Sequence, residues 1–419
     1  MQLTRDRPTV STMTEYSPLL PACDAAEEEW QTTSPETVIT SVEVHRDASA
    51  VVAAWAELEA VAPVSAYQTR AFTIPWLETI GATRRIEPLF ILGKDRYDRP
   101  AALICLGVER NGPFRIARFL GGKESNFNLG LFRPNMDVTA ADLRFLFKST
   151  AKALGPAKPH LFLLKNQPFD WGGAANPLAL LPHQPSPSFA YATHLGPCGE
   201  KFLVEKLSKD TRKKLRKKEA RLAELGPVSL MVNDTPAAAS AIIDAFLVEK
   251  IARCEARSIE ADFADPSMRA FLERLAMPRG NRAPWLTFQA LKLGDRIIAT
   301  YAGAAHRNHF SCLVNSFDND PGIAKSSPGD LLLMRLVASQ CDGGVAGFDL
   351  GIGEARYKGS YCDTTVPLFD IVLPIGIHGR LCALYAKCRL KMKRRIKQDP
   401  KMLGRIMRLR RVLPGLPIF

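Results

Sequence analysis

The sequence has no run of 18 or more apolar residues, so no segment reads as a membrane-spanning helix. Its first residues, MQLTRDRPTVSTMTEY, lack the basic-then-apolar order of a signal peptide. The nine cysteines are scattered, odd in number, and never spaced C-x-x-C, which excludes a disulfide framework and a cysteine zinc site and points to a reducing cytoplasm. No G-x-S-x-G is present, so serine-hydrolase chemistry has no support. Aromatic residues are missing from the most basic stretch, where only Tyr385 lies among the charges; this argues against a stacking platform for nucleic acid.

What is present is the composition of a globular protein: 46% hydrophobic and 24% charged over 419 residues, a length that implies two or three domains. The net charge of +13 is concentrated at the C-terminal end. Between Arg380 and Arg411 thirteen Lys and Arg face one acid, Asp399, which leaves the body of the chain near neutral. Leu381, Tyr385, Cys388 and Met392 share one helical face there, and Leu403, Ile406, Met407 and Leu413 mark a second amphipathic helix. A basic amphipathic tail reads either as a contact with an anionic membrane surface, through about residues 380–413, or as a segment folded onto its own protein. The expected location is the cytoplasm, peripheral to the inner face of the membrane.

Residues 1–37 read as a disordered leader. From residue 38 to 190 the pattern is strand, helix through Trp55 and Leu58, a second helix interrupted by Pro75, a hairpin over Lys94–Arg99, the amphipathic helix Ala141–Leu154 and a strand at His160–Leu164. A Pro-rich loop, 168–187, ends this half. From 191 to 375 the layout repeats: a basic helical stretch Glu200–Gly226 broken near Ser208, helices Pro236–Ser258 and Pro266–Ala276, a hairpin over Gly294-Asp295, a strand Asn308–Val314, a helix Gly329–Gln340 and a strand Val345–Leu350. Residues 376–419 form the basic tail. The predicted fold class is therefore α/β with mixed sheets, two copies of one module in tandem, the first a degenerate copy that shapes the site.

Candidate chemistry gathers in the second copy. Ser326-Ser327-Pro328-Gly329-Asp330 opens a helix whose free amides can hold a phosphate; the plainer reading is a capped helix start with Ser327 as the cap. Asp349 ends a short apolar strand and is followed by two glycines and by Glu354, Tyr357 and Lys358. A carboxylate at a strand end beside a helix start is where open α/β folds place ligands, though such acids also simply begin loops. His306 and His309 flank Arg307-Asn308 as a hairpin turn, with no acid close in sequence to complete a metal site, so no metal is expected.

Three stretches together carry a resemblance. K-L-S-K-D-T-R-K-K-L-R at 206–216, N-S-F-D…S-S-P-G-D-L-L-L at 315–333 and F-D-L-G-I-G-E-A-R-Y-K at 348–358 resemble the CelD/BcsL branch of the GNAT acetyltransferases, associated with cellulose and other polysaccharide biosynthesis and distantly similar to the Fem-type peptidyltransferases. The Q/R-x-x-G-x-G/A signature of ordinary GNAT enzymes is absent, and Ser-Ser-Pro-Gly stands in its place. The resemblance implies an acyl-CoA-dependent transferase using acetyl-CoA, with a sugar or sugar nucleotide as acceptor. It implies Asp349 or Glu354 as base and Tyr357, then Lys358, as proton donor to the leaving thiolate. The donor would be held by Ser326, Ser327, Gly329 and Asp330 and by a bulged strand near Leu313 and Val314. Lys209 and Arg212 would hold an anionic acceptor. Two rivals stand beside it: a Fem-like transferase drawing on aminoacyl-tRNA, and a non-catalytic adaptor at a membrane or synthase.

Overall fold

The structure, a computed structural model, describes residues 37–256, 262–278, 280, 283–399, 401, 402 and 404–406. The expected leader, except Thr37, and most of the second tail helix lie outside the described residues.

Two seven-strand arrays carry the fold, and they repeat one another pair by pair. The first runs Ser41–His45, Glu87–Lys94, Pro100–Asn111, Phe114–Phe119, Leu161–Pro168, Leu368–Pro374, His183–Pro185, with a short strand, Leu131–Phe132, beside Pro100–Asn111. The second runs Val228–Val232, Thr287–Leu293, Arg296–His306, His309–Phe317, Gly347–Ile352, Ala190–His194, Thr364–Val366. In both, the fourth and fifth strands are parallel and every other neighbouring pair is antiparallel. A parallel pair needs a crossover, and a helix supplies it each time: Ala140–Leu154 in the first copy and Pro328–Asp342 in the second. The layout repeat seen in the sequence is thus a repeat of topology, and the protein is a mixed α/β fold of two like modules in tandem.

The second copy lends the first a strand. Leu368–Pro374, which the sequence attaches to the second copy, pairs with Leu161–Pro168 of the first, whereas Ala190–His194 stays with the second and pairs with Gly347–Ile352. The edge of Leu161–Pro168 is apolar, and Phe369 and Ile371 bury against it; pairing satisfies backbone groups that would otherwise be left bare in the core. One hydrophobic core also spans both copies, joining Trp55, Phe72 and Phe127 to Phe246, Phe271 and Phe288. Phe72 meets Phe271 edge to face at 5.5 Å.

Local signals set the elements that frame the site. The basic stretch breaks into Gly199–Lys206 and Lys209–Leu225, with Ser208 accepting from the Thr211 amide as N-cap and Gly226 as the stop. Pro75 lies inside Arg70–Trp76, and a turn of π-helix follows at Leu77–Gly81. His306 and His309 pair across a two-residue turn in which Arg307 has φ +53°. The tail begins with one long helix, Gly376–Gln398, laid on the first sheet.

Candidate active site

The fourth and fifth strands of the second sheet, His309–Phe317 and Gly347–Ile352, pair only over three residues. His309, Phe310 and Ser311 match Gly347, Phe348 and Asp349; beyond that point the strands part. On its other side His309–Phe317 carries a bulge. Val314 matches Ala302 and Cys312 matches Gly303, which leaves Leu313 as the extra residue, without a partner opposite. The bulged strand expected near Leu313 and Val314 is therefore present, and it lies at the mouth of the split.

Asp349 sits at the branch point and is fully buried. Its Oδ2 accepts from Ser311 Oγ at 2.5 Å and lies 2.8 Å from His309 Nε2; its Oδ1 accepts from the Gly351 amide at 2.8 Å. An acid far from His309 in sequence thus stands beside it in space, because the parallel register brings residues 309–311 and 347–349 side by side. Among the described residues no group of His, Cys, Asp and Glu is arranged to hold a metal ion.

The first copy reaches into the split. Asn126 Nδ2 donates to the Cys312 carbonyl and to Tyr67 Oη, each at 2.9 Å, and its Oδ1 accepts from the Ile352 amide at 3.4 Å. One side chain therefore ties both parted strands. Gly351, at φ +68°, is needed beneath it: a Cβ there would stand 2.4 Å from Asn126 Nδ2. Tyr67 Oη also donates to the Cys312 carbonyl at 3.4 Å, and burial pushes its pKa well above the ordinary phenol range. Neither residue bears any local mark in the sequence.

The loop after Gly347–Ile352 places the remaining candidates differently from one another. Lys358 is buried, and its Nζ donates to the carbonyls of Gly351 at 3.1 Å and Ile352 at 2.9 Å, while burial lowers its pKa against the pull of Asp349. It braces the strand end. Tyr357 is half-buried and hydrogen-bonded to Tyr301, which is also bonded to the Asn315 side chain; burial raises both phenols. Glu354 is exposed, and its Oε1 accepts from the Phe189 amide at 3.2 Å and from Gln398 Nε2 at 3.1 Å.

At the start of Pro328–Asp342, Ser327 is the N-cap residue in the left-handed region (φ +48°), yet its side chain does not cap the helix. It accepts instead from Lys218 Nζ at 2.7 Å, and the same ammonium lies 3.8 Å from Asp330. Ser326 is buried, and its Oγ has no hydrogen-bond partner among the described residues. Pro328 has no N–H, and the Ser326, Ser327, Asp330 and Leu331 amides bond to backbone carbonyls, so the Gly329 amide, an ammonium and an unpartnered hydroxyl form the donor set open to phosphate oxygens. Lys209 is exposed, and Arg212 is occupied in part by the Leu207 carbonyl at 3.2 Å; it is Lys218, two turns further on, that meets the helix start.

Glu249, on helix Pro236–Glu255, was not marked by the sequence. It accepts from Ser316 Oγ, which is 2.7 Å from Thr300 Oγ1, and burial lifts its pKa to about 7 with help from Asp318.

Comparison with known proteins agrees with this architecture. Residues 209–359 match the family described as "Acetyltransferase (GNAT) domain". That segment contains the split strands, the bulge and the helix start. The crystal structure of FemX is similar over 79% of this chain and 97% of its own, with 11% identity and a TM-score of 0.52, a likeness of fold that extends over both modules. A conserved protein of unknown function from Bacteroides thetaiotaomicron aligns over 80% of this chain and all of its own (14% identity, TM-score 0.49). The C-terminal domain of a putative lysylphosphatidylglycerol synthetase from Agrobacterium fabrum aligns over 81% and 96% (12%, TM-score 0.47). No curated protein matches the sequence.

Proposed function

We propose that the second module moves an acyl group, acetyl in the simplest case, from an acyl-CoA to an amine or hydroxyl of a sugar or sugar nucleotide, in the assembly of cellulose or a related polysaccharide. The observation that carries the donor half of this reading is the coincidence, at one split between parallel strands, of an unpartnered bulge residue and a helix start bearing Lys218 and the orphaned Ser326 hydroxyl. The acceptor half rests on the resemblance of the three sequence stretches.

In this reading the thioester lies in the split. The Leu313 amide donates to its carbonyl oxygen as negative charge develops there. Lys218, Ser326 and the Gly329 amide take the pyrophosphate; Asp330 sets the position of Lys218. The acceptor attacks the carbonyl carbon, the C–S bond breaks, and Tyr357, linked to Tyr301, returns a proton to the thiolate. Asp349 is sealed from solvent by three hydrogen bonds, so its role is to hold Ser311 and His309 and fix the branch point. The acceptor's proton leaves by Glu354 or through water. Lys358 secures the strand end, and Lys209 and Arg212 offer charge to an anionic acceptor at the rim.

A thermal-shift series tests the reading. Acetyl-CoA or a longer acyl-CoA should raise the melting temperature of the full chain, and a sugar nucleotide should raise it further in the presence of CoA. Stabilisation by aminoacyl-tRNA with none by any CoA would assign the donor to the Fem-like alternative.

A further inference from the structure

Helix Gly376–Gln398 is apolar on two opposite sides. Successive residues turn by about 100°. Gly379, Ala383, Ala386 and Leu390 fall on one side and pack on Ile116, Leu161, Leu163 and Val372 of the first sheet. The contact is close: a Cβ on Gly379 would stand 2.1 Å from the His160 carbonyl oxygen. Ile377, Leu381, Leu384, Tyr385 and Met392 fall on the opposite side and are between 53% and 76% exposed. The two readings of the tail are therefore not alternatives. The helix folds onto its own protein and still presents a stripe of large apolar side chains to solvent, which a soluble surface rarely keeps for its own sake.

The charges around the stripe say what covers it. The helix carries eight Lys and Arg and no Asp or Glu. Arg380, Lys387 and Lys391 border the stripe on one side and Arg389 on the other, with Arg395 at its end; their long stems can lie along an apolar surface while the charges reach outward. A second copy would bring the same bases face to face, and so would residues 407–419, which carry three more Arg and no acid. An apolar stripe between cationic borders on a convex helix complements an anionic lipid surface, with the apolar side chains below the headgroups and the bases among the phosphates.

We propose that this stripe docks the protein on anionic bilayers. The same helix is joined to the site. Arg394 Nη1 donates to the Ser186 carbonyl, Lys397 Nζ to Ser188 Oγ at 2.6 Å, and Gln398 Nε2 to Glu354 in the loop after the split strands. Docking therefore holds the catalytic loop in a fixed relation to the lipid surface, which suits an acceptor made or carried there.

Co-sedimentation of the full chain with vesicles tests this without reference to the acyl donor. Phosphatidylcholine vesicles containing about 30% phosphatidylglycerol should bind it and pure phosphatidylcholine vesicles should not. The double substitution Leu381→Gln/Leu384→Gln should weaken binding more than tenfold with an unchanged thermal melt, since both side chains are exposed. Lys387→Glu/Lys391→Glu should weaken it and reduce its dependence on salt. A chain that stays in the supernatant with anionic vesicles, or a Leu381→Gln/Leu384→Gln variant that binds as well as the parent, overturns the proposal. A fall in oligomeric mass in that variant would assign the stripe to a protein partner and overturns it equally.

Discussion

Replacing Glu249 by Gln should change how stability depends on pH, and the size of the change follows from its surroundings. Burial lifts this carboxyl from 4.5 to about 7, against a hydrogen bond from Ser316 that favours the ionised form. In the unfolded chain it ionises near its ordinary value. The folded protein therefore binds the proton more tightly than the unfolded one between pH 4.5 and 7, so stability falls as pH rises through that window and levels off above it. At ~1.4 kcal/mol per pH unit the penalty reaches up to ~3 kcal/mol; partial contact with solvent reduces it, and about 1–2 kcal/mol is expected. Gln keeps a partner for Ser316 and removes the titration. Melting temperatures of the parent and Glu249→Gln, taken from pH 5 to pH 8, should separate, the variant gaining a few degrees relative to the parent at the alkaline end. Parallel curves across the range would refute the reasoning, because they would mean that Glu249 titrates alike in both states.

Three further outcomes are expected. Gly351→Ala forces a side chain into a left-handed position and against Asn126, so it should lower stability by about 2 kcal/mol or more, read from urea unfolding; Asn126→Ala in the same chain should recover the part due to the clash. Tyr357→Phe should reduce turnover of a detected acceptor by about tenfold or more with little change in the melt, and an unchanged rate would remove the phenol from the mechanism. Gly379→Ala drives a methyl group into the His160 carbonyl, so it should lift the tail helix and lower the melting temperature by several degrees.

Elements that announce themselves over a few residues were legible in the sequence. Ser208 and Gly226 delimit a helix by capping chemistry, Arg307-Asn308 and Gly294-Asp295 turn two hairpins, and Pro75 disturbs a helix. The elements of the candidate site were legible in outline, since the bulge near Leu313, the helix start at Pro328 and the loop from Asp349 to Lys358 all lie within one continuous stretch. What the sequence did not disclose depends on distant pairing. Nothing local says that Leu368–Pro374 leaves the second sheet for the first, because an apolar strand fits either edge. Asn126 and Tyr67 reach Cys312 from 186 and 245 residues away, and an Asn or a buried Tyr carries no mark of such a partner. Lys218 is one of many bases on its helix, and only the packing of that helix beside Pro328–Asp342 singles it out. The tail shows the opposite limit. Its amphipathic face was legible, but that a second face also buries on the sheet rests on small residues such as Gly379 and Ala383, which carry little hydrophobic signal.

The central claim is that the split between His309–Phe317 and Gly347–Ile352, with the helix start at Pro328, holds an acyl-CoA. Calorimetric titration of acetyl-CoA into the full chain, beside Lys218→Ala, tests it most directly. The parent should bind at one site per chain, and the variant with an affinity lower by about tenfold, equal to ~1.4 kcal/mol. No binding by the parent, or equal affinity in the two proteins, would contradict it.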